Sequence, residues 1–481
     1  MVHVSPIDHD CVLKDIVTHL MDRVAKLEHQ NLLLLKAHIG PKTERAKVPK
    51  KPKTKPTPDE TAAKRKHNAA QKAALATTTT ALTVPPAQRT CPHCGNHKLK
   101  PVGQGTTTTI WEFVPATFIR HDYVQETLRC SCNGYIVKAP PPKKVVERGR
   151  YGSSFLAHLV VAKCADHLPL YRLEKEFARI GVPVARSTMN DLLHAAASKL
   201  KPIATALLDR LKSRRIVMAD ETRMRMLDDG TGKPTNGFMW TFVADDDLGA
   251  RDVALVFAGD RSGETPRRIL AGTDGFLLVD GYSGYNRVAD VSTRVRAGCH
   301  AHLRRYFVDA KSPDAQPAID LVGELYGVEH EAARRSLHGN SKLEFRKLRS
   351  APIRDRLKRW LDDNAPKHPP RSPMGKAFTY ANNSWTALGR FLDDAAIPLD
   401  NNASEAALRR VALGRKNYLF VGDVDAGDHI GVLYTLIATC EARSINPFVY
   451  LTDVLERVAS DPVDVLLPSA WQPRPDAAPQ H

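Results

Sequence analysis

Leucines recur every seven residues near the start of the chain, at Leu13, Leu20, Leu27 and Leu34. Val17, Val24 and Asn31 each follow one of the first three by four residues. Leu on one seam and Val on the other, with a single Asn, predicts a leucine-zipper-like coiled-coil helix over residues 1–40, the Asn fixing register between two strands. A helix docked on its own chain has the same pattern. Gly40-Pro41 ends it. The periodicity then lapses. Between Pro41 and Lys72, eleven Lys/Arg stand against three Asp/Glu, and an Ala/Thr tract leads to Pro85-Pro86. Residues 41–90 therefore read as a disordered basic linker, suited to lying along phosphates.

Helical spacing returns over 150–200. Ser153 or Ser154 is placed to cap a helix to about Lys163, Leu170–Ile180 forms a second closed by Gly181, and a third covers about 187–200. With Arg172, Arg179 and Arg186 nearby, this is a helix-turn-helix-like, DNA-binding segment or a plain helical packing unit. From 213 the period shortens to two. Arg215–Ala219 is a short strand ending in Asp220-Glu221-Thr222; Phe238–Ala244 and Val253–Ala258 are two more; Thr265-Pro266 opens a short helix to about Leu270; Gly275–Val279 is a fourth strand that delivers Asp280. Strand, strand, strand, helix, strand is the order of a ribonuclease-H-like core, here over 213–425. Residues from about 313 to 395 are charged and helical, with Leu321, Leu325, Leu348 and Leu357 as core; they form an α-helical insertion in that core. A helical C-terminal element occupies 426–481. The whole is a multidomain α/β chain.

Composition sharpens this picture in two ways. Seventy Lys+Arg against fifty-three Asp+Glu leave a net charge of +17 over 481 residues, which favours a polyanionic partner. The longest apolar run, Gly431 to Cys440, is too short for a membrane span, and the acidic N-terminus lacks a signal core; the expected setting is cytoplasmic.

Two tight cysteine pairs, Cys91-Pro-His-Cys94 and Cys130-Ser-Cys132, have knuckle spacing for one structural Zn²⁺ in a ribbon over 91–140, and strand-like segments Ile110–Val114 and Phe118–Thr127 lie between the pairs. Cys11, Cys164, Cys299 and Cys440 lack paired spacing and read as buried thiols. Asp220 and Asp280 end strands that lie side by side in the expected core, so their carboxylates converge, and hard oxygen ligands select Mg²⁺. Glu405 supplies a third, near the start of a helix capped by Asn402 or Ser404 and running to about Arg410. Asp400 is its rival, read as a turn residue. Gly414-Arg415-Lys416-Asn417 reads as a basic loop suited to phosphate.

Ala219-Asp-Glu-Thr222, Asp280-Gly-Tyr-Ser-Gly-Tyr285, Cys299-His-Ala-His-Leu-Arg-Arg305, Leu399-Asp-Asn-Asn402 with Glu405, Gly414–Phe420 and Asn446–Leu451 together resemble the insertion-sequence 66 family of DDE transposases. The resemblance covers nearly the whole chain. It departs at Ala406, where the family usually has Arg, and at Gly422-Asp423, where it usually has Gly-Ser.

That resemblance implies a bacterial, DNA-associated transposase that binds terminal inverted repeats and performs end cleavage and strand transfer. Asp220, Asp280 and Glu405 would be the catalytic triad holding two Mg²⁺ ions. It also implies small accessory proteins of the same element, and a homo-oligomer fits the zipper. Arg304, Arg305, Arg409, Arg410, Arg415 and Lys416 are candidates for DNA-backbone contacts. Two rival functions share part of the pattern: a zinc-containing DNA-binding regulator without chemistry, and a ribonuclease-H-like nuclease that hydrolyses without strand transfer.

Overall fold

The computed structural model describes residues 144–147, 149–227, 234–418 and 421–474, together with Phe118, Asp122 and the backbone of a hairpin that pairs Thr127–Arg129 with Ile136–Lys138. The expected zipper-like helix, the expected basic linker and the candidate zinc ligands Cys91, Cys94, Cys130 and Cys132 lie outside the described residues. The hairpin strands bracket Cys130 and Cys132 in sequence.

Three helices come first: α1 (Ser153–Cys164), α2 (Leu170–Arg179) and α3 (Arg186–Lys212). Neither Ser153 nor Ser154 caps α1. Gly152 holds that position, and Ser153 instead donates its hydroxyl to Glu456 at 2.6 Å. Gly181 closes α2 as expected, at φ +81°. The third helix runs twelve residues beyond the expected end, through Pro202. A proline there removes one backbone donor, but the apolar stripe continues with Ile203, Leu207 and Leu211, all fully buried. Burial of that stripe outweighs the local break.

A five-stranded mixed sheet follows. Its strands are β1 (Ile216–Leu227), β2 (Pro234–Asp245), β3 (Arg251–Ala258), β4 (Phe276–Val279) and β5 (Val295–Gly298), with helix α4 (Glu264–Ile269) between β3 and β4. The order across the sheet is β3-β2-β1-β4-β5. The first three strands are antiparallel; β4 joins β1 in parallel and β5 joins β4 in parallel. Alternation assigns the two faces. Met218, Met239, Val243, Val253, Leu255 and Leu278 enter one core. Val217, Ala219, Trp240, Phe242, Ala254 and Leu277 enter a second core, closed by Ile269 and Leu270 at α4.

Beyond the sheet come α5 (His300–Asp309), α6 (Gln316–Arg334), α7 (Gly339–Asn364), α8 (Pro373–Asn383), α9 (Asn402–Tyr418), α10 (Val424–Ala442) and α11 (Pro447–Arg457). Helices α6 to α8 form a helical block within residues 313–395, where the sequence predicts helices. Leu321, Leu325 and Leu357 are in its core, but Leu348 is 72% exposed. The buried face of α7 runs through Ser350, Ile353, Leu357 and Leu361, and Leu348 falls off it.

The apolar run Gly431–Cys440 is the buried heart of α10, and no helix among the described residues is long and apolar enough to cross a membrane. The run covers the edge strand β3. Thr435 accepts the Leu255 N–H at 2.8 Å, and Thr439 accepts the Val253 N–H at 3.1 Å. Two hydroxyls one turn apart thus satisfy backbone groups that an open sheet edge leaves unpaired. Gly427 and Gly431 make the approach possible. A Cβ at 427 would lie 2.2 Å from the Phe257 ring, and one at 431 would lie 3.0 Å from the Leu255 carbonyl.

Candidate active site

Asp220 does not end its strand, as the sequence had indicated; β1 continues seven residues further because its antiparallel pairing with β2 persists to Leu227↔Pro234. What ends is its other partnership. The parallel pairing with β4 stops at Met218↔Leu278. Asp220 and Asp280 are each two residues past that pair, so register and face carry them side by side where the two strands part. Neighbouring strands are about 4.8 Å apart, which sets the scale of the separation.

Backbone hydrogen bonds fix both side chains. Asp220 Oδ1 accepts the Glu221 N–H at 2.9 Å, and Asp280 Oδ1 accepts the Tyr282 N–H at 2.9 Å. Arg296 on β5 donates to the carbonyls of Asp280 and Tyr282, holding that turn. Glu221 points elsewhere: it accepts from Tyr285 Oη at 2.6 Å and from Arg261 Nε at 2.7 Å.

Glu405 arrives from the opposite end of the sequence, in the first turn of α9. Asn401 places it. This side chain is fully buried, and its Nδ2 donates to the Ala219 carbonyl, beside Asp220, at 2.7 Å. The Asn401 carbonyl accepts the Glu405 N–H at 3.3 Å, so Asn401 caps the helix, not Asn402 or Ser404. The same loop is sewn to α5: Asn401 N–H donates to Cys299 Sγ at 3.3 Å, and His300 N–H donates to the Leu399 carbonyl at 2.9 Å. Asp400 faces away, accepting from Tyr326 Oη at 2.8 Å and from the Asn402 N–H at 3.1 Å.

Electrostatics tie the three carboxylates together. Burial pushes the Asp220 carboxyl up to about 7, and the charges of Glu221, Asp280 and Glu405 push in the same direction. Among the described residues no Lys, Arg or His forms an ion pair with this half-buried carboxylate. Glu405 has such a partner, in Arg305 on α5, whose Nη2 lies 3.1 and 3.3 Å from its two oxygens, with His302 Nε2 at 3.6 Å. No three His, Cys, Asp or Glu side chains among the described residues are gathered closely enough to hold one metal ion.

Residues 148–429 match the pattern of the IS66 transposase family, residues 88–133 match the zinc-finger binding domain of that transposase, and residues 435–468 match its C-terminal element. The chain belongs to the IS66 transposase family. It is 34% identical over 409 residues to the uncharacterized protein y4jD of Sinorhizobium fredii, covering 81% of this chain and 79% of that one. Protein y4hP of the same organism is 32% identical over 410 residues, covering 80% and 73%.

Within this IS66 family chain, Gly414–Asn417 are the last turns of α9 and not a loop. The glycine is needed for packing: a Cβ there would lie 2.0 Å from the Tyr418 hydroxyl and 2.5 Å from that of Tyr434. The candidate basic residues divide accordingly. Arg409 and Lys416 are exposed and Arg304 is half-buried. Arg410 pairs with Glu441 at 2.8 Å, and Arg415 donates to Thr222 Oγ1 at 2.9 Å, bracing β1. Cys164, Cys299 and Cys440 are buried free thiols, as expected. Sequence reasoning gave no role to Asn401, the residue that joins Glu405 to Ala219 beside Asp220, and settled none for His300. His300 is 2% exposed, and its Nδ1 lies 3.0 Å from the Leu399 carbonyl, a structural role.

Proposed function

We propose that this family member is a DDE transposase whose ribonuclease-H-like core cuts and joins DNA ends through Asp220, Asp280 and Glu405. The observation that carries the reading is that Asp220 and Asp280 sit side by side where β1 and β4 part, and that burial, with the charges of Glu221, Asp280 and Glu405 adding to it, raises the Asp220 carboxyl. The strand order β3-β2-β1-β4-β5 supports the fold assignment. Asp220, Asp280 and Glu405 are an all-oxygen donor set of the kind that Mg²⁺ takes, and they would hold it once Glu405 is drawn from Arg305. Bound divalent ions stabilise the attacking and leaving oxygens of an in-line displacement at phosphorus.

The chain's own residues do the rest. Asn401 and the Leu399 carbonyl hold the α9 terminus against β1 and α5. Arg296 locks the Asp280 turn. Arg305, Arg304, Arg409 and Lys416 line up phosphates without reading sequence. In the first displacement water attacks the phosphodiester at the element's end and the 3′ oxygen leaves as a hydroxyl. That hydroxyl then attacks a target phosphodiester and expels the target's own 3′ oxygen. Zinc held by Cys91, Cys94, Cys130 and Cys132 would fold the N-terminal DNA-binding ribbon.

The test is joining of a pre-cleaved end oligonucleotide to plasmid in Mg²⁺. Asp220→Asn, Asp280→Asn and Glu405→Gln each abolish joining while end binding persists; Asp400→Asn keeps most of it. Normal joining by all three neutral variants defeats the assignment. Hydrolysis without joining by the native chain favours a plain nuclease.

A further inference from the structure

Next to the carboxylates the surface carries an aromatic step that the chemistry above leaves unused. Helix α5 presents His302, Arg305 and Tyr306 within about one turn of one another, and the first two touch Glu405. Tyr306 is 41% exposed. One side of its ring stacks on Tyr380 of α8, with centroids 4.5 Å apart and planes 23° apart. Tyr380 is itself buried and wedged beside the active-site turn: a Cβ on Gly281 would lie 2.6 Å from its ring. Glycine immediately after Asp280 is what admits the ring there. The Tyr380 hydroxyl is buried without a hydrogen-bond partner, which is costly unless an acceptor arrives. The two rings make a ladder whose inner rung leans on the Asp280 turn and whose outer rung faces solvent. Beside it stand Arg305, with a side chain 53% exposed, and Arg304.

A flat ring offered to solvent, backed by a second ring and flanked by arginines, matches an unpaired nucleobase attached to a phosphate. Stacking on aromatic rings binds unpaired bases with little regard to sequence, because every base has a π-face. We propose that Tyr306 is the stacking platform for an unpaired base at the DNA end, seating the adjoining phosphate at the carboxylates. This rests on reading Asp220, Asp280 and Glu405 as a DNA-processing site. Tyr306 is then a positioning residue for the reacting strand, and Arg305 neutralises the phosphate next to the stacked base.

The experiment is a double-substitution cycle with the full chain and pre-cleaved end duplexes, in which single abasic sites replace the terminal nucleotides of either strand. Tyr306→Ala weakens binding of the intact end about tenfold, within the usual range for losing one base–aromatic stack. Tyr306→Phe and Tyr306→Trp stay close to the native chain, which a role for the hydroxyl does not predict. At one terminal position the abasic site weakens binding by the native chain by a similar factor but leaves Tyr306→Ala unaffected. If the two losses multiply at every position, or if Tyr306→Ala binds normally, the proposal is overturned. Asp280→Asn separates this from the catalytic reading: it removes joining but keeps the Tyr306–abasic coupling. Normal joining by Asp280→Asn would sink the catalytic assignment while the coupling still reports on Tyr306.

Discussion

Arg305 and Glu405, a hundred residues apart in sequence, meet through one guanidinium nitrogen at 3.1 and 3.3 Å from the two carboxylate oxygens. Glu405 is thereby neutralised by the protein, whereas Asp220 is not. The pair competes with any cation that Glu405 is to share with Asp220 and Asp280. Arg305 is exposed, so the pair is worth at most about 1 kcal/mol.

Removing it therefore has a small, measurable effect in an unusual direction. Arg305→Ala binds Mn²⁺ a few-fold more tightly in the absence of DNA, read by electron paramagnetic resonance of the free ion. Joining falls in the same variant because a phosphate contact is lost. Unchanged Mn²⁺ affinity means the pair does not restrain Glu405.

Asp220→Asn keeps the acceptor for the Glu221 N–H and discards the charge that burial and three neighbours oppose. The variant is inactive and more stable at neutral pH. Each kcal/mol recovered raises the melting temperature by about 2–4 °C in a domain of this size. Scanning calorimetry at pH 7.5 decides it; a lower melting temperature contradicts the origin assigned to the raised Asp220.

Asn401→Ala leaves the Ala219 carbonyl buried without its donor, at about 1–3 kcal/mol. It also loosens the link between the α9 terminus and β1, so joining falls more than tenfold while DNA binding holds. Asp400→Asn retains an acceptor for Tyr326 and changes joining little. Urea unfolding and joining, measured on both variants, separate the two asparagine-loop positions. Equal effects at 400 and 401 contradict the geometry.

His300 predicts a pH dependence. Burial pushes its imidazole down to about 4. In the unfolded chain it takes a proton near 6.5, so between those values the unfolded state binds more protons. Its contribution is complete above about pH 6.5 and is lost as the pH falls toward 4, by about 2 kcal/mol between pH 7 and 5. His300→Asn can still donate to the Leu399 carbonyl and lacks this loss. Urea midpoints at pH 7 and 5 for both chains give the comparison, and parallel slopes would falsify the assignment to His300.

The strands were legible because period-two runs are punctuated by Gly, Asp, Pro and Asn, and the order strand, strand, strand, helix, strand was readable from them. Errors came where one residue type has two uses. The third helix was expected to stop near 200 and Gly414 to open a basic loop, yet Pro202 and Gly414 both lie inside helices, one tolerated for the apolar stripe and the other required by two tyrosine hydroxyls. Asp220 was expected at the end of its strand but lies inside β1, because strand length is set by β2, a partner further along the chain. Asn401 stands in the Leu399–Asn402 motif, but its role left no signal, since its bond to Ala219 spans 182 residues. Tyr306 was invisible for the same reason: its partner ring lies in the insertion, and sequence spacing says nothing about a stack formed across two helices.

The insertion itself has a consequence for how Glu405 reaches its partners. Arg346 of α7 is wholly buried and donates to the carbonyls of Phe391 at 2.9 Å and Asp394 at 3.1 Å, while Tyr326 of α6 holds Asp400. The chain leading into α9 is thus clamped from both helices. A flexible detour from Asp280 to Glu405 would give the third carboxylate a local concentration in the millimolar range of ordinary tethers. With the insertion folded and its exit strapped down, Glu405 is delivered at an effective concentration set by geometry and not by chain statistics.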